Sequence, residues 1–395
     1  MREDREAASC SGGVLRSRGS LRCPDSQCLT FWNARREWPQ IVRTLLSKPW
    51  SAGLVCLVLV VFFHSPRWWI IAHTSPGTFE WDRAITYLKQ CEDPFREDVE
   101  PAMHWRFVPQ VIVWAFGGNR AVALAIPWLG AWALLVYIYR LCRRNQIAPG
   151  TSIYLTLLLG ASAPVLASTG WLGVNDAWVA LGLCCLAFDR RKLLLALACL
   201  LGPFIDERFV FGVPLALLIR NLGDAKAAPI RVLPRLAGQC ALAVVPFMVG
   251  RILGVLFGRS TGGDFAFLAQ SVRGSTSYLW MTPLGVAMAF RFGYLPVTVW
   301  GGRLCSTVRP SMTALIAIAV VPVIVGLLLA SDSMRTAGIL LPLCLYGAIE
   351  LAKQSENDWW PWLALANLLF AAAHISYTKI MPINSLPIEL WRLIR

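Results

Sequence analysis

Charge is what this chain has least of. Of its 395 residues only 15% are Asp, Glu, Lys or Arg, against about 25% in a typical soluble domain, which excludes a water-soluble globule. Histidine is nearly missing, with four copies, so a histidine-rich metal centre is not available. No Gly-x-x-x-x-Gly-Lys-Ser/Thr segment occurs, which argues against a nucleotide-driven pump. No internal repeat is visible, and that weakens the inverted-repeat architecture of many transporters. Twelve cysteines are present, but only Cys91 falls in a loop predicted to be external; most of the others sit in apolar runs, as small packing residues do.

What the chain has instead is apolar residues. They make up 56% of the sequence, enough for about ten or eleven spans of about 20 residues each. The 37 Lys and Arg outnumber the 23 Asp and Glu, yet they punctuate apolar runs rather than form one patch. Arg140, Arg143 and Arg144 close one run, Arg190, Arg191 and Lys192 separate two more, and Arg220, Lys226, Arg231 and Arg235 fill another gap. This spacing fixes which loops of a polytopic chain stay cytoplasmic, and it removes nucleic acid as a partner.

The predicted architecture is all-α and integral to a membrane, with about eleven spans. Residues 1–49 are polar and precede the first run by too long a distance for a cleavable signal, so they read as a cytoplasmic tail. Residues 50–395 form the membrane domain, placed in a plasma (inner) membrane. The first span covers 50–72, and a polar loop over 73–120 follows. Its stretch 73–106 holds Glu80, Asp82, Glu92, Asp93, Glu97, Asp98 and Glu100 against Arg83, Lys89, Arg96 and Arg106, an acidic balance that marks the external side. Within the loop, 107–117 is half the length of a span and starts near Pro109, as a helix in the outer interface would. Further spans are expected at 121–142, 152–169, 177–188, 193–205, 209–220, 234–257, 280–300, 311–330, 336–352 and 359–374.

With this alternation the external leaflet receives Asp82, His104, Arg106, Asp176, Glu207, Arg208 and Arg335, and Asp332 beside the last of these. Ionisable groups near a membrane cost free energy, so their accumulation at one side asks for a use. Glu80-Trp81-Asp82 follows a turn at Ser75-Pro76-Gly77 and could supply a general base or oxygen ligands for a divalent cation; two solvated loop charges are the plainer reading. Asp206-Glu207-Arg208 suits either phosphate binding or a charged hairpin tip, and Asp332 with Arg335 either phosphate binding or an i,i+3 ion pair at a helix start. Arg251 and Arg291 lie deep in their runs and either snorkel or line a cavity. His64 and His374 read as interfacial.

An acidic pair after the first span, a short helix, a basic residue and Pro before an interfacial helix, then a span closing in Tyr-x-x-Arg-x-x-Arg-Arg at Tyr137 to Arg144: this pattern resembles the polytopic C-type (GT-C fold) glycosyltransferases. Those enzymes take polyprenyl-phosphate-linked sugars, and their first external loop carries Asp-x-Asp or a variant. Here the variant would be Glu80-Trp81-Asp82. Asn175-Asp176 at a span start and the Pro342-containing span after Asp332-Ser333-Met334-Arg335 are similar in character.

The resemblance implies inverting transfer of a sugar from a polyprenyl-phosphate donor to a glycan, lipid or protein acceptor on the external face. Asp82 and Glu80 would be catalytic, and Arg106, Arg208 and Arg335 would hold the donor phosphate. His104, Asp176, Glu207 and Asp332 complete the candidate site. Magnesium or manganese, if used, would bind at Glu80 and Asp82. A transporter or lipid-linked sugar flippase, and a catalytically silent envelope-assembly protein, are the competing classes.

Overall fold

A computed structural model describes residues 47–66, 79–96, 98–99, 101–227, 229–256, 279–305, 310–330, 332–354, 359–376 and 379–395. The chain divides into Met1–Leu45 and Leu46–Arg395, and every described residue belongs to the second unit.

The described residues are mostly helical. In chain order the helices are α1 (Pro49–Phe63), α2 (Phe79–Glu92), α3 (Pro101–His104), α4 (Val108–Ala115), α5 (Arg120–Arg144), α6 (Pro149–Gly160), α7 (Ala163–Gly170), α8 (Asp176–Phe188), α9 (Lys192–Ile205), α10 (Arg208–Arg220), α11 (Leu222–Ala227), α12 (Pro229–Leu256), α13 (Thr282–Phe290), α14 (Leu295–Cys305), α15 (Pro310–Leu329), α16 (Ser333–Ala337), α17 (Leu341–Gln354) and α18 (Trp360–Leu369). A hairpin of β1 (Ala372–Ser376) and β2 (Lys379–Ile383) follows, and α19 (Leu386–Ile394) closes the chain.

Three segments are long and apolar enough to cross a membrane: Arg120–Arg144, Val232–Leu253 and Ser333–Gln354. The pair α6 and α7 would make a fourth, bent by 62°. Large apolar side chains stand exposed along α12 (Leu242, Val245, Met248, Ile252) and α15 (Ile318, Val321, Ile324), a surface that water would penalise and lipid would not. The protein is therefore a membrane protein.

Several expected spans differ from the observed elements, each for a local reason. The run at 152–169 is broken at Ala161–Ser162, where Pro164 starts a new helix. The run at 280–300 is interrupted by a 3-10 turn over Arg291–Tyr294, and Arg291 itself has a left-handed backbone with φ 49°. The run expected over 359–374 stops at Leu369, and residues 372–376 pair antiparallel with 379–383, His374 opposite Met381. The chain is thus not wholly α. Helices α1, α8 and α9, of 15, 13 and 14 residues, are shorter than the about 20 residues a full crossing requires.

Helix α5 shows how the sequence starts and stops its elements. The Asn119 side chain caps it by accepting from Ala121 N at 2.8 Å, and Arg143 and Arg144 occupy the last turn, where cations suit the dipole. It packs along α1 at close range: a Cβ on Gly53 would stand 2.6 Å from Val136 Cγ2, so only glycine lets the two backbones approach. From α5 through α10 the chain shuttles between two ends of the bundle. Asp176 and Arg208 meet at one end of α8 and α10, while Arg220 at the other end of α10 donates to the Leu186 carbonyl at 3.0 Å.

Candidate functional site

At the end where α8, α10 and α16 begin, a buried cluster of arginines and carboxylates forms from segments far apart in sequence. Asp176 opens α8, a position where the helix dipole favours a carboxylate. Its Oδ1 accepts from Nη2 of Arg208 at 2.7 Å and from Nη2 of Arg335 at 2.7 Å, and its Oδ2 accepts from Nε of Arg335 at 2.8 Å. Arg335 therefore grips Asp176 with the two-pronged geometry specific to a guanidinium.

Asp206, in the turn between α9 and α10, binds Arg208 through Nε and Nη2, both at 2.7 Å, and stands 3.4 Å from Nη1 of Arg106 and 3.8 Å from Nη2 of Arg335. Glu207 accepts both prongs of Arg106, with Nε at 2.8 Å. Asp332 caps α16, accepting from the Arg335 backbone N at 3.4 Å and pairing with its Nη1 at 3.3 Å. His374, delivered by β1, places Nε2 3.4 Å from Asp332 Oδ2 and packs against Trp171 with ring centroids 4.5 Å apart and planes tilted by 39°.

The plain readings of the local pairs are realised, and the pairs do not stand alone. Asp206 with Arg208 is a charged hairpin tip, and Asp332 with Arg335 is an i,i+3 pair, but each arginine also reaches Asp176 across the bundle. Burial would push the Asp206 carboxyl up; the guanidiniums of Arg106 and Arg208 outweigh it and hold the group well below the usual carboxylate range. Burial likewise works against ionised Asp332, and His374 and Arg335 overcome it, so this carboxyl too lies below its ordinary value. For Arg106 burial opposes the charge and the carboxylates of Asp206 and Glu207 more than restore it.

Arg83, on α2, is the residue that the sequence alone did not single out. Burial lowers its guanidinium below the ordinary value, the neighbouring Arg335 and Arg106 lower it further, and Asp176 and Asp332 pull the other way. Those neighbours locate α2 against the cluster. The packing agrees: Tyr87, one turn after Arg83 and on the same helix face, is fully buried, and its OH donates to the Ala123 carbonyl at 3.2 Å. Gly173, three residues before Asp176, has φ +79°, and a Cβ there would lie 2.7 Å from that of Tyr87. Gln90 ties α2 to the Arg106 loop, donating from Nε2 to the Met103 carbonyl at 3.0 Å and accepting from Gln110 at 3.2 Å.

The expected site residues are thus placed as follows. Arg106, Asp176, Glu207, Arg208, Asp332 and Arg335 share one cluster. His104 ends α3, half-buried, two positions from Arg106, and none of the bonds above involves it. Glu80 and Asp82 belong to the first turn of α2, and their side chains lie outside the described residues. His374 is not interfacial: it is 2% exposed, because β1 turns inward after α18 ends. His64 is buried as well. Arg291 does not snorkel but donates from Nε to Asn367 Oδ1 at 3.2 Å and from Nη2 to the Ala161 carbonyl, and Arg251 lies over the rings of Trp105 and Phe247 at 5.3 and 5.1 Å.

Among the described residues no group of three or more His, Cys, Asp or Glu is arranged to hold a metal ion. The void beside Asp176, Arg208 and Arg335 measures about 10 Å³, room for about one water. The cluster is most open at Glu207, whose side chain is 27% exposed against 6% for Asp176. Comparison of the chain with family models, with curated proteins and with solved structures finds no match.

Proposed function

We propose that this protein is a membrane glycosyltransferase that moves a sugar from a polyprenyl-phosphate carrier to an acceptor hydroxyl on the external face, within an eleven-span, GT-C-like architecture. The observation that carries the reading is the placement of α2. Tyr87 of α2 packs against Gly173, three residues before Asp176, so the helix that carries Glu80-Trp81-Asp82 leans on the turn leading into the arginine–carboxylate cluster.

In this reaction the acceptor oxygen attacks the anomeric carbon, the bond from that carbon to the phosphate oxygen breaks, and the configuration inverts. Asp82, assisted by Glu80, takes the hydroxyl proton. The departing phosphate gains negative charge, and Arg106 at the Glu207 edge of the cluster, with Arg83 as the nearest arginine of α2, stabilises it. Arg208 and Arg335 act one layer deeper, held by Asp176. Phosphate leaves readily, so positioning and charge neutralisation are the main demands on the protein. If a magnesium or manganese ion takes part, Glu80 and Asp82 are the residues that would hold it.

A second reading, transport of a lipid-linked sugar, is favoured by one observation: Arg291 is half-buried at the break between α13 and α14 and pairs with amide and carbonyl oxygens, as a group on a permeation path could. Reconstituted protein, assayed with a panel of polyprenyl-phosphate sugars, separates the two. Transfer that is present in the wild type and lost in Asp82→Asn with unchanged folding supports the enzyme. Transfer undiminished in Asp82→Asn removes that residue from the mechanism, and translocation without transfer favours the transporter.

A further inference from the structure

At the end of the bundle remote from the arginine–carboxylate cluster, a cavity of about 300 Å³ opens between the last turns of α5, α8 and α10. That volume is at the lower end of the about 300–1,000 Å³ typical of small-ligand sites, and far larger than the one-water void beside Asp176. Its walls divide by chemistry. Leu141 and Phe188 supply an apolar side, and Arg144, Arg190 and Arg220 supply a cationic one, with Asp189 as the acid among them.

The described residues pair none of the three guanidiniums with a carboxylate. Arg220 is half-buried and fixed by its Nη1, which donates to the carbonyls of Leu186 and Asp189. Those are carbonyls at the negative end of α8, so Arg220 is held in place by the helix terminus rather than by a counter-ion. Asp189 spends Oδ1 on the backbone N of Arg191 at 3.0 Å. Arg144 and Arg190 are exposed at the mouth. Three cations against one anion leave the lining with an excess of two positive charges.

Arginines that served only to keep a loop on one side of the membrane would have no reason to converge on a cavity. An anion would be needed to balance them, and the paired apolar wall suits a ligand with a greasy flank. We infer that this cavity binds a phosphate-bearing anion, either the headgroup of an anionic phospholipid or a free phosphate, with Arg144, Arg190 and Arg220 as its ligands. The arginine-rich loops here are the ones predicted cytoplasmic, where the leaflet carries anionic lipid. The site stands apart from α2 and from the external cluster, and it does not depend on the glycosyl-transfer reading.

The full chain in detergent, titrated with phosphatidylglycerol, phosphatidylcholine and inorganic phosphate and read by native mass spectrometry and thermal melting, tests this. Retention of phosphatidylglycerol at least tenfold more tightly than phosphatidylcholine, lost in the Arg144→Gln/Arg190→Gln double variant at unchanged melting temperature, supports a headgroup. Stabilisation by millimolar inorganic phosphate that the double variant loses, without a lipid preference, supports the same site with a soluble occupant. Because both replaced residues are exposed, folding should survive; Arg220→Lys, which keeps the charge but not the fork, should weaken binding less than the double variant. Equal retention of both lipids with no phosphate effect, or a wild-type preference in the double variant, overturns the proposal.

Discussion

Arg335 and Asp176 lie 159 residues apart and are joined by two parallel hydrogen bonds, Nε to Oδ2 at 2.8 Å and Nη2 to Oδ1 at 2.7 Å. The same carboxylate also accepts from Arg208, so one acid bridges two cations, each of which has a second carboxylate beside it, Asp206 for Arg208 and Asp332 for Arg335. Moving charges out of water costs several kcal/mol per ion, and only complete pairing recovers it. The pair joins the first residue of α8 to α16, and with Arg208 at the start of α10 the same carboxylate ties three helices together.

Replacing Asp176 by Asn should therefore be among the most damaging substitutions in the chain. It leaves Arg208 and Arg335 short of a counter-ion, at a cost of about 3–5 kcal/mol, which is the usual effect of breaking a buried pair from one side. Thermal melts of Asp176→Asn, Arg335→Gln and the double variant give the coupling. The double variant should lose less than the sum of the singles; strict additivity would show that the two side chains do not interact.

Stability should fall on the acid side. The Asp206 and Asp332 carboxyls are held below their unfolded values by arginines, and in the case of Asp332 by His374 as well. A depressed carboxyl contributes stability that is fully present above the unfolded value of about 4 and is lost as pH falls through the folded one. From these two carboxyls, melting temperature should drop as pH falls below about 4. Asp332→Asn should be less stable at neutral pH and show a shallower acid limb; an acid limb identical to that of the wild type would assign the effect to other groups.

The convergence of charges could be read from the sequence because chain alternation puts every second loop on one face. Asp176, Glu207, Arg208, Asp332 and Arg335 each bound an apolar run, and charge at such a boundary is conspicuous. Arg83 was not, since it sits inside an ordinary amphipathic stretch and gains meaning only when Tyr87, one turn on, packs against Gly173. His374 escaped because nothing between Trp360 and Leu369 announces the end of the helix, and the inward hairpin depends on pairing with residues 379–383. The break at Ala161–Ser162 did carry a signal in Pro164, but the apolar run across it is uninterrupted. The helices at 176–188 and 192–205 match the expected runs in position and in length, so their shortness is visible in the sequence, whereas α1 ends at Phe63, inside the expected 50–72.

Arg83 tests the phosphate proposal. Burial, Arg335 and Arg106 work against its charge, and Asp176 and Asp332 support it. Arg83→Gln should weaken affinity for a phosphate-linked donor by about tenfold or more, the loss of one charge-assisted contact. Donor titration against both proteins decides the matter: equal affinity would remove Arg83 from phosphate recognition.

The last prediction concerns a residue with no chemistry of its own. Gly173 holds φ +79°, a region that L side chains rarely adopt, and an added Cβ would approach that of Tyr87 to 2.7 Å and its Cγ to 2.8 Å. Tyr87 is on α2 and Gly173 is in the turn that leads into Asp176, so this contact sets the distance between the helix of Glu80 and Asp82 and the arginine cluster. Gly173→Ala should strain the turn by about 1–2 kcal/mol and push α2 outward. Under the glycosyl-transfer proposal, kcat should then fall by at least tenfold in protein that still binds donor, since a displacement near 1 Å can cost about a hundredfold in rate. Tyr87→Phe, which removes only the bond to the Ala123 carbonyl and keeps the ring in place, should affect turnover far less. Turnover equal to the wild type in folded Gly173→Ala would mean that the position of α2 against Asp176 does not govern the reaction.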